Sequence, residues 1–394
     1  MNNFTFYSPT LFAFGDGEER NVGALVRRFG GTKVLVVTGG GSVHRSGVFD
    51  RVAQALREAE LPFAELSGVQ PNPRSGKVYE GIALGRELGA DFLLALGGGS
   101  VIDTAKAIGF GLPYAGDFWD FFTGKAPITA TLPVGVVLTI SAAGSEGSDS
   151  CVITQEAGNL KWGSPKSDLL RPKFAVLNPR VTCSLPPYQT ASGAVDMMAH
   201  IMERYFTNTP DVALTDRLCE ALLRTVIEAA PKALAHPDDY APRADLMWAG
   251  MLAHNNSCGV GREQDWASHQ IEHELSALYD CAHGAGLAVI LPAWLRFVLP
   301  HDTARLAQFA QRVFDCQMDA AHPEVTAREG IRQLRLFFEA LGMPVTLSEI
   351  GARAEDIPTL VAHRAEKPNG FPFGGFVKIG PAEMTAILHL AEGL

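Results

Sequence analysis

The sequence predicts a two-domain chain: an α/β domain with a parallel sheet over residues 1–184, followed by an all-α domain over residues 185–394. Up to about residue 184, β-branched runs such as KVLVVT, FLLALG, VGVVLT and FAVLN alternate with helical stretches such as GVFDRVAQALREAE and SGKVYEGIALGRELG. Short apolar strands separated by helices pair in parallel through crossover connections. After CSLPPYQ the strands stop, and amphipathic helices follow in DRLCEALLRTVIEAAPKAL, AREGIRQLRLFFEALG and PAEMTAILHLAEGL. Pro186 and Pro187 mark the hinge, and a cleft between the two domains is the expected architecture. The N-terminal run FTFYSPTLFAFGDG reads as a strand or hairpin.

Two glycine turns follow strands in the first domain. GGGS at 97–100 lies between FLLALG and the helical VIDTAKAIG, so bare backbone amides and a helix start face whatever lies above the strand's carboxyl end. A pyrophosphate fits there, although a triple glycine also makes an ordinary tight strand-to-helix turn. The second turn, Gly39, Gly40, Gly41 and Ser42, follows KVLVVT, and no acid occurs in the sequence after it until Asp50. An acid at that place would accept ribose hydroxyls and repel a 2′-phosphate. With glycine amides, the Ser42 hydroxyl, and His44 or Arg45 adding charge, the turn is open to an anion, which predicts NADP(H) over NAD(H). Asp103, one turn beyond Ser100, points toward the same cleft or serves as a helix-start charge.

In the second domain, Asp196, His200, His269 and His283 describe one divalent-metal site. Asp196 and His200 lie four apart in SGAVDMMAHIMERYF, so both project from one helix face. His269 and His273 repeat the spacing in DWASHQIEHELSALYD, and His283 follows in the short turn before GLAVILPAWLRFVL. One carboxylate and three neutral imidazoles suit Zn²⁺ or Fe²⁺ and leave room for a substrate oxygen. A single helical histidine is more often a satisfied polar group; the convergence of the set carries the reading.

Composition agrees. The 394 residues are 47% hydrophobic and 19% charged, with a formal net charge of −10, a globular composition with no basic run for nucleic acid or anionic membranes. The N-terminus lacks a signal-peptide pattern, and no stretch reaches the roughly 18 apolar residues of a membrane helix, so the cytoplasm is expected. The six cysteines include no CxxC pair and read as reduced, mostly buried thiols; Cys281, two residues before His283, is the one to watch.

The stretches LVVTGGGSVHRSGV, GVQPNP, LLALGGGSVIDTAKAIG, LTISAAGSEGSDSCVI, FAVLNP, GAVDMMAH and DWASHQIEHELSALYDCAHGAGLAVILPAW span nearly the whole chain in order. They resemble the iron-containing (group III) alcohol dehydrogenases, in particular the NADPH-dependent aldehyde reductase and butanol dehydrogenase branch. The resemblance implies a dehydroquinate-synthase-like fold, with Asp196, His200, His269 and His283 as ligands and His273 beside the nicotinamide without binding metal. It also implies Gly97, Gly98, Gly99 and Ser100 at the pyrophosphate, Thr139 and Lys161 toward the nicotinamide ribose, and Asn72 at the adenosine end, with an N-terminal strand paired across a homodimer. One departure is Ala143 in SAAGSEGS, where many members carry a threonine; Ser141, Ser145 and Ser148 are candidates to replace its hydroxyl.

The chemistry expected of this set is hydride transfer between nicotinamide C4 and a small alcohol or aldehyde, with the metal as Lewis acid and His273 as proton donor or relay, or packing beside the cofactor. Phe118, Trp119, Phe122, Trp162 and Trp266 are candidate walls for an uncharged substrate, or core. A polyol or polyol-phosphate dehydrogenase, a metal-dependent lyase, or a non-catalytic nucleotide-binding redox sensor are the alternatives.

Overall fold

Six parallel strands form the main sheet in the order β1-β8-β5-β4-β2-β3: β1 (Leu11–Phe14), β2 (Val34–Gly39), β3 (Phe63–Val69), β4 (Phe92–Gly97), β5 (Val134–Leu138) and β8 (Phe174–Leu177). The computed structural model describes residues 1–393. Strands β6 (Val152–Gln155) and β7 (Leu160–Gly163) form a separate antiparallel hairpin. Helices α1 (Val22–Arg28) and α3 (Val48–Glu58) supply Val22, Val26, Val48, Val52 and Leu56 to one face of the sheet, against Val34, Val36, Leu94 and Val176. Helices α4 (Ser75–Leu88) and α5 (Gly99–Gly111) cover the other face, against Leu35, Val37, Leu93, Ala95 and Val136. Both faces are buried, which is why these strands read as unbroken apolar runs. Each fully buried Val or Leu contributes about 1.5–3 kcal/mol relative to exposure.

The order of the strands places the glycine turns. From β2 the chain passes through α2 (Ser42–Arg45) and α3 to the outer strand β3, whereas from β4 it passes through α5 in the opposite direction to β5. The connections therefore diverge between β2 and β4, and in open parallel sheets ligands bind outside the carboxyl ends at such a point. Gly39–Ser42 and Gly97–Ser100 sit at those two ends. Glycine is required at Gly97, where a side chain would begin 2.5 Å from Val101 Cγ2, and at Gly41, whose φ is +92°.

Two compact units result, and neither is continuous in sequence. One comprises Tyr7–Leu185 and Pro237–Asn255; the other comprises Met1–Phe6, Pro186–His236 and Asn256–Leu394. The sequence reading divides the chain once, at 184/185, and so assigns α8 (Tyr240–His254) to the helical part. The structure packs it on the α/β unit instead. Trp248 of α8 meets Phe12 and Phe14 edge-on, at 6.0 and 5.9 Å between ring centroids, and a side chain at Gly144 would begin 2.5 Å from the Gly250 carbonyl. The N-terminal run is also simpler than a hairpin: only Leu11–Phe14 is a strand, an edge strand parallel to β8.

The second unit is helical, from α6 (Pro187–Tyr205) and α7 (Ala213–Ala235) through α9 (Ala267–Tyr279), α10 (His283–Val298), α11 (Thr303–Phe314) and α12 (Pro323–Ala340) to α13 (Ile357–Ala365) and α14 (Pro381–Leu390). Among the described residues no helix is long and apolar enough to cross a membrane, and all six cysteines are free thiols.

Candidate active site

Helices α6, α9 and α10 carry the predicted metal ligands, and all three lie in the helical unit. Asp196 and His200 are buried near the middle of α6, one turn apart. The start of α9 is held by Asp265, whose Oδ2 accepts the Ala267 amide at 3.1 Å, which places His269 in its first turn. His283 opens α10, which comes so close to α6 that a side chain at Gly284 would begin 2.0 Å from the Ser192 carbonyl oxygen. That approach needs glycine, and it brings His283 Nε2 to 3.7 Å from Asp196 Oδ1.

Ligand atoms of Asp196, His200 and His269 all lie within 4.8 Å of one another. His283 groups with Glu272 and His273 in a second set at the same spacing, and the Asp196–His283 approach joins the two. The rings of His200 and His269 are 4.4 Å apart, and those of His269 and His283 are 5.3 Å apart. His273 is half-buried, its ring 5.8 Å from that of His283, and it groups with His283 rather than with Asp196, His200 and His269.

Each predicted ligand histidine is tethered through Nδ1. His200 Nδ1 donates to the Asp196 carbonyl at 2.9 Å, since a carbonyl oxygen only accepts. His269 Nδ1 pairs with Glu203 Oε1 at 2.8 Å, and the same oxygen accepts the His269 amide at 3.0 Å. His283 Nδ1 pairs with Glu272 Oε2, while Glu272 Oε1 accepts the Ser276 hydroxyl. A carboxylate on Nδ1 fixes the tautomer and leaves Nε2 to face a cation. Glu203 sits on α6 and holds His269 on α9; Glu272 sits on α9 and holds His283 on α10. Sequence reasoning missed both. Their signal was helical spacing: Glu203 lies three residues after His200, and Glu272 three after His269.

The donor set fits a divalent cation on two further observations. Asp196 Oδ1 and His269 Nε2 are buried and make no hydrogen bond, a costly state for polar atoms unless a ligand completes it. His200 Nδ1 lies 3.0 Å from Asp196 Oδ1, but it is directed to the helix carbonyl. Burial, with His200 and His283 alongside, drives His269 well below the ordinary imidazole range and so keeps it neutral. Burial alone would raise Asp196, yet His200 and His283 beside it hold the carboxyl well below its usual range. Burial pushes Glu203 up to about 7. Trp266, with left-handed backbone at φ 69°, packs its ring 5.3 Å from that of His269. It is the one aromatic of the five expected wall residues found beside this set. Phe118, Trp119, Phe122 and Trp162 are core of the α/β unit, with Trp119 stacked on Phe122 at 4.6 Å and on Trp162 at 5.6 Å.

The predicted dinucleotide residues all lie in the α/β unit. Gly97–Ser100 form the β4–α5 turn, beside which the Thr139 amide donates to the Gly97 carbonyl at 3.1 Å. At Gly40 an added side chain would meet nothing within 4 Å, so the backbone there opens on free space. Lys161 on β7 donates to Asn72 Oδ1 at 3.0 Å, so these two residues lie together and do not serve opposite ends of a dinucleotide as the resemblance implies. Asp103 has a bracing role: its two oxygens accept the Ser145 hydroxyl at 2.5 Å and the Val152 amide at 2.9 Å. Lys106, fully buried and unremarked in the sequence, donates from Nζ to Ser145, Ser148 and Ser150. Those bonds commit Ser145 and Ser148 to holding the loop after β5. Ser141 is the remaining candidate, and its buried hydroxyl makes no hydrogen bond.

Residues 9–179 match the family described as iron-containing alcohol dehydrogenase, and residues 190–391 match the C-terminal part of that family. The chain belongs to the iron-containing alcohol dehydrogenases, and membership implies a nicotinamide cofactor and a metal. It is 42% identical over 98% of its length to the probable NADH-dependent butanol dehydrogenase 1 of Bacillus subtilis, covering 99% of that protein. It is 38% identical to the NADPH-dependent aldehyde reductase YqhD of Escherichia coli, over 92% of both chains. The crystal structure of an NADH-dependent butanol dehydrogenase A from Thermotoga maritima superposes with a TM-score of 0.96 at 38% identity, covering 100% of this chain and 99% of that one.

The hold of Glu272 on His283 depends on Gly286, where a side chain would begin 2.8 Å from Glu272 Cγ and 2.9 Å from its Oε1. Gly286→Ala favours the helix by propensity, yet it should push Glu272 off His283. In long-range proton–nitrogen spectra of the metal-free protein, His283 should lose its single Nδ1–H tautomer. A His283 signal identical to that of the parent would show that the glycine does not guard this contact.

Proposed function

We propose that this alcohol dehydrogenase interconverts small uncharged aldehydes and primary alcohols with NADP(H), using one divalent metal, Fe²⁺ or Zn²⁺, held by Asp196, His200, His269 and His283. The observation that carries the reading is the buried donor set with two unsatisfied ligand atoms, Asp196 Oδ1 and His269 Nε2. When bound, the metal supplies Lewis acidity to the substrate oxygen and the nicotinamide supplies or accepts the hydride. The chain's own residues do the rest. Glu203 and Glu272 keep His269 and His283 in the ligating tautomer. His273, beside the ligand set, holds or moves the proton of the substrate oxygen, since an imidazole titrates near neutrality. Gly97, Gly98, Gly99 and Ser100 present amides to the pyrophosphate, with Thr139 and Lys161 toward the nicotinamide ribose and Asn72 held beside Lys161. Asp103 keeps the neighbouring loop in place, and the Ser141 hydroxyl takes the cofactor bond that Ala143 lacks.

For the cofactor, Gly39, Gly40, Gly41 and Ser42 offer amides and a hydroxyl to a 2′-phosphate, and one relative is described as NADPH-dependent. NAD(H) is the second reading, supported by four relatives described as NADH-dependent. The reduced thiols suit a cytoplasmic protein. We also propose a homodimer: Phe4, Phe6 and Tyr7 are exposed just before the edge strand β1, whose free backbone edge can pair with another chain. Sedimentation of the full chain as a 42.2 kDa monomer at micromolar concentration would contradict it.

The decisive experiment follows NADPH and NADH oxidation with a panel of aldehydes, alongside metal content. His200→Ala should stay folded, lose metal and lose activity by at least about a hundredfold. His273→Ala should keep its metal but lower kcat and alter the pH profile. Near-parental turnover and metal in His200→Ala would overturn the ligand assignment, and loss of metal in His273→Ala would make His273 a ligand.

A further inference from the structure

The β2–α2 turn contains no acid, and Asp50 is the first carboxylate after it in sequence. The fold brings another one to it from the next strand. Glu65 on β3 pairs in register with Val36 of β2, and its side chain runs along the same face toward the strand end. There Oε1 accepts the Thr38 hydroxyl at 2.6 Å and the His44 Nε2 proton at 2.8 Å. Thr38 immediately precedes Gly39, and His44 lies two residues after Ser42. The two bonds bracket the turn, so the carboxylate sits level with it. The Glu65 side chain is 24% exposed and that of His44 is 42% exposed, so the pair is reachable from outside the core. The His44 ring is also seated on Phe49 at 4.3 Å between centroids, which favours the orientation that faces Glu65. Arg45 Nη1 lies 3.4 Å from where a Gly41 side chain would begin. The turn is thus flanked by one cation and one carboxylate whose imidazole partner is already engaged.

We propose that Glu65, through its charge and its hold on His44, is a specificity-determining residue that disfavours a 2′-phosphate at this turn and narrows the preference for NADP(H) over NAD(H). The proposal rests on the reading of Gly39–Ser42 as the seat of the adenosine ribose. Charge is the operative quantity. A carboxylate near the turn repels the phosphate dianion but not an uncharged ribose hydroxyl, and it withholds His44 from the phosphate.

The test is the dissociation constants of NAD⁺ and NADP⁺ for the full-length protein, measured by calorimetry in the parent, Glu65→Gln and His44→Ala. Glutamine keeps an acceptor for Thr38 and removes the charge. NADP⁺ should then bind about fivefold more tightly, with NAD⁺ changed by less than about twofold. His44→Ala leaves the carboxylate without its partner, and NADP⁺ should bind several-fold more weakly while NAD⁺ holds. Opposite shifts in the two variants support the proposal. If Glu65 only staples the turn, both variants weaken both cofactors alike or neither, and the unchanged NAD⁺/NADP⁺ ratio overturns it. Should the parent bind neither dinucleotide, the cofactor reading of the turn falls and this proposal falls with it. If Glu65→Gln fails to fold, the sign of the His44→Ala shift decides alone: tighter or unchanged NADP⁺ binding overturns the proposal.

Discussion

The hydrogen bond between a buried carboxylate and the Nδ1 of an imidazole is the interaction on which the helical unit's site depends. It occurs twice, and each time it crosses from one helix to the next: Glu203 of α6 to His269 of α9, and Glu272 of α9 to His283 of α10. The two bonds are therefore both electrostatic and architectural. They select the tautomer that leaves Nε2 for a cation, and they fix the rotation of each helix about its axis relative to its neighbour. Burying two glutamates is expensive unless each is hydrogen-bonded. The neutral state forced on His269 by burial and by its histidine neighbours is also the state in which an imidazole can be a ligand.

The same economy of small residues sets the site's geometry. Gly284 lets α10 touch the backbone of α6 at Ser192, and Gly286 leaves space for the Glu272 side chain. In the α/β unit the comparable element is Lys106, whose ammonium gathers carbonyls and hydroxyls of Ser145, Ser148 and Ser150. Together with Asp103, it ties the loop after β5 to α5.

Much of this was legible in the chain, for identifiable reasons. Strands buried on both faces appear as continuous apolar runs, and Gly97–Ser100 could be placed between strand and helix because glycines punctuate such turns. Asp196 and His200 could be read because four-residue spacing on a helix guarantees a shared face. Glu203 and Glu272 obey the same rule, but acids on a helix are usually solvated, so spacing alone does not single them out. Helix α8 was misassigned because an amphipathic pattern does not say which unit it packs on. The bracing role of Asp103 depends on a loop more than forty residues away. Glu65 escaped notice for a related reason: parallel register brings together residues far apart in sequence. The aromatic residues show the opposite error. Phe118, Trp119, Phe122 and Trp162 suggest a pocket in sequence, yet they stack on one another as core.

X-ray absorption at the iron and zinc edges, on protein purified without added metal, tests the account most directly. The arrangement predicts one tightly held metal with a shell of nitrogen and oxygen at about 2.1 Å and the outer-shell pattern of imidazole rings. No sulfur should appear, although Cys281 lies two residues from His283. A sulfur scatterer at about 2.3 Å, or a protein that retains no metal while His269 and Asp196 remain buried, would contradict it.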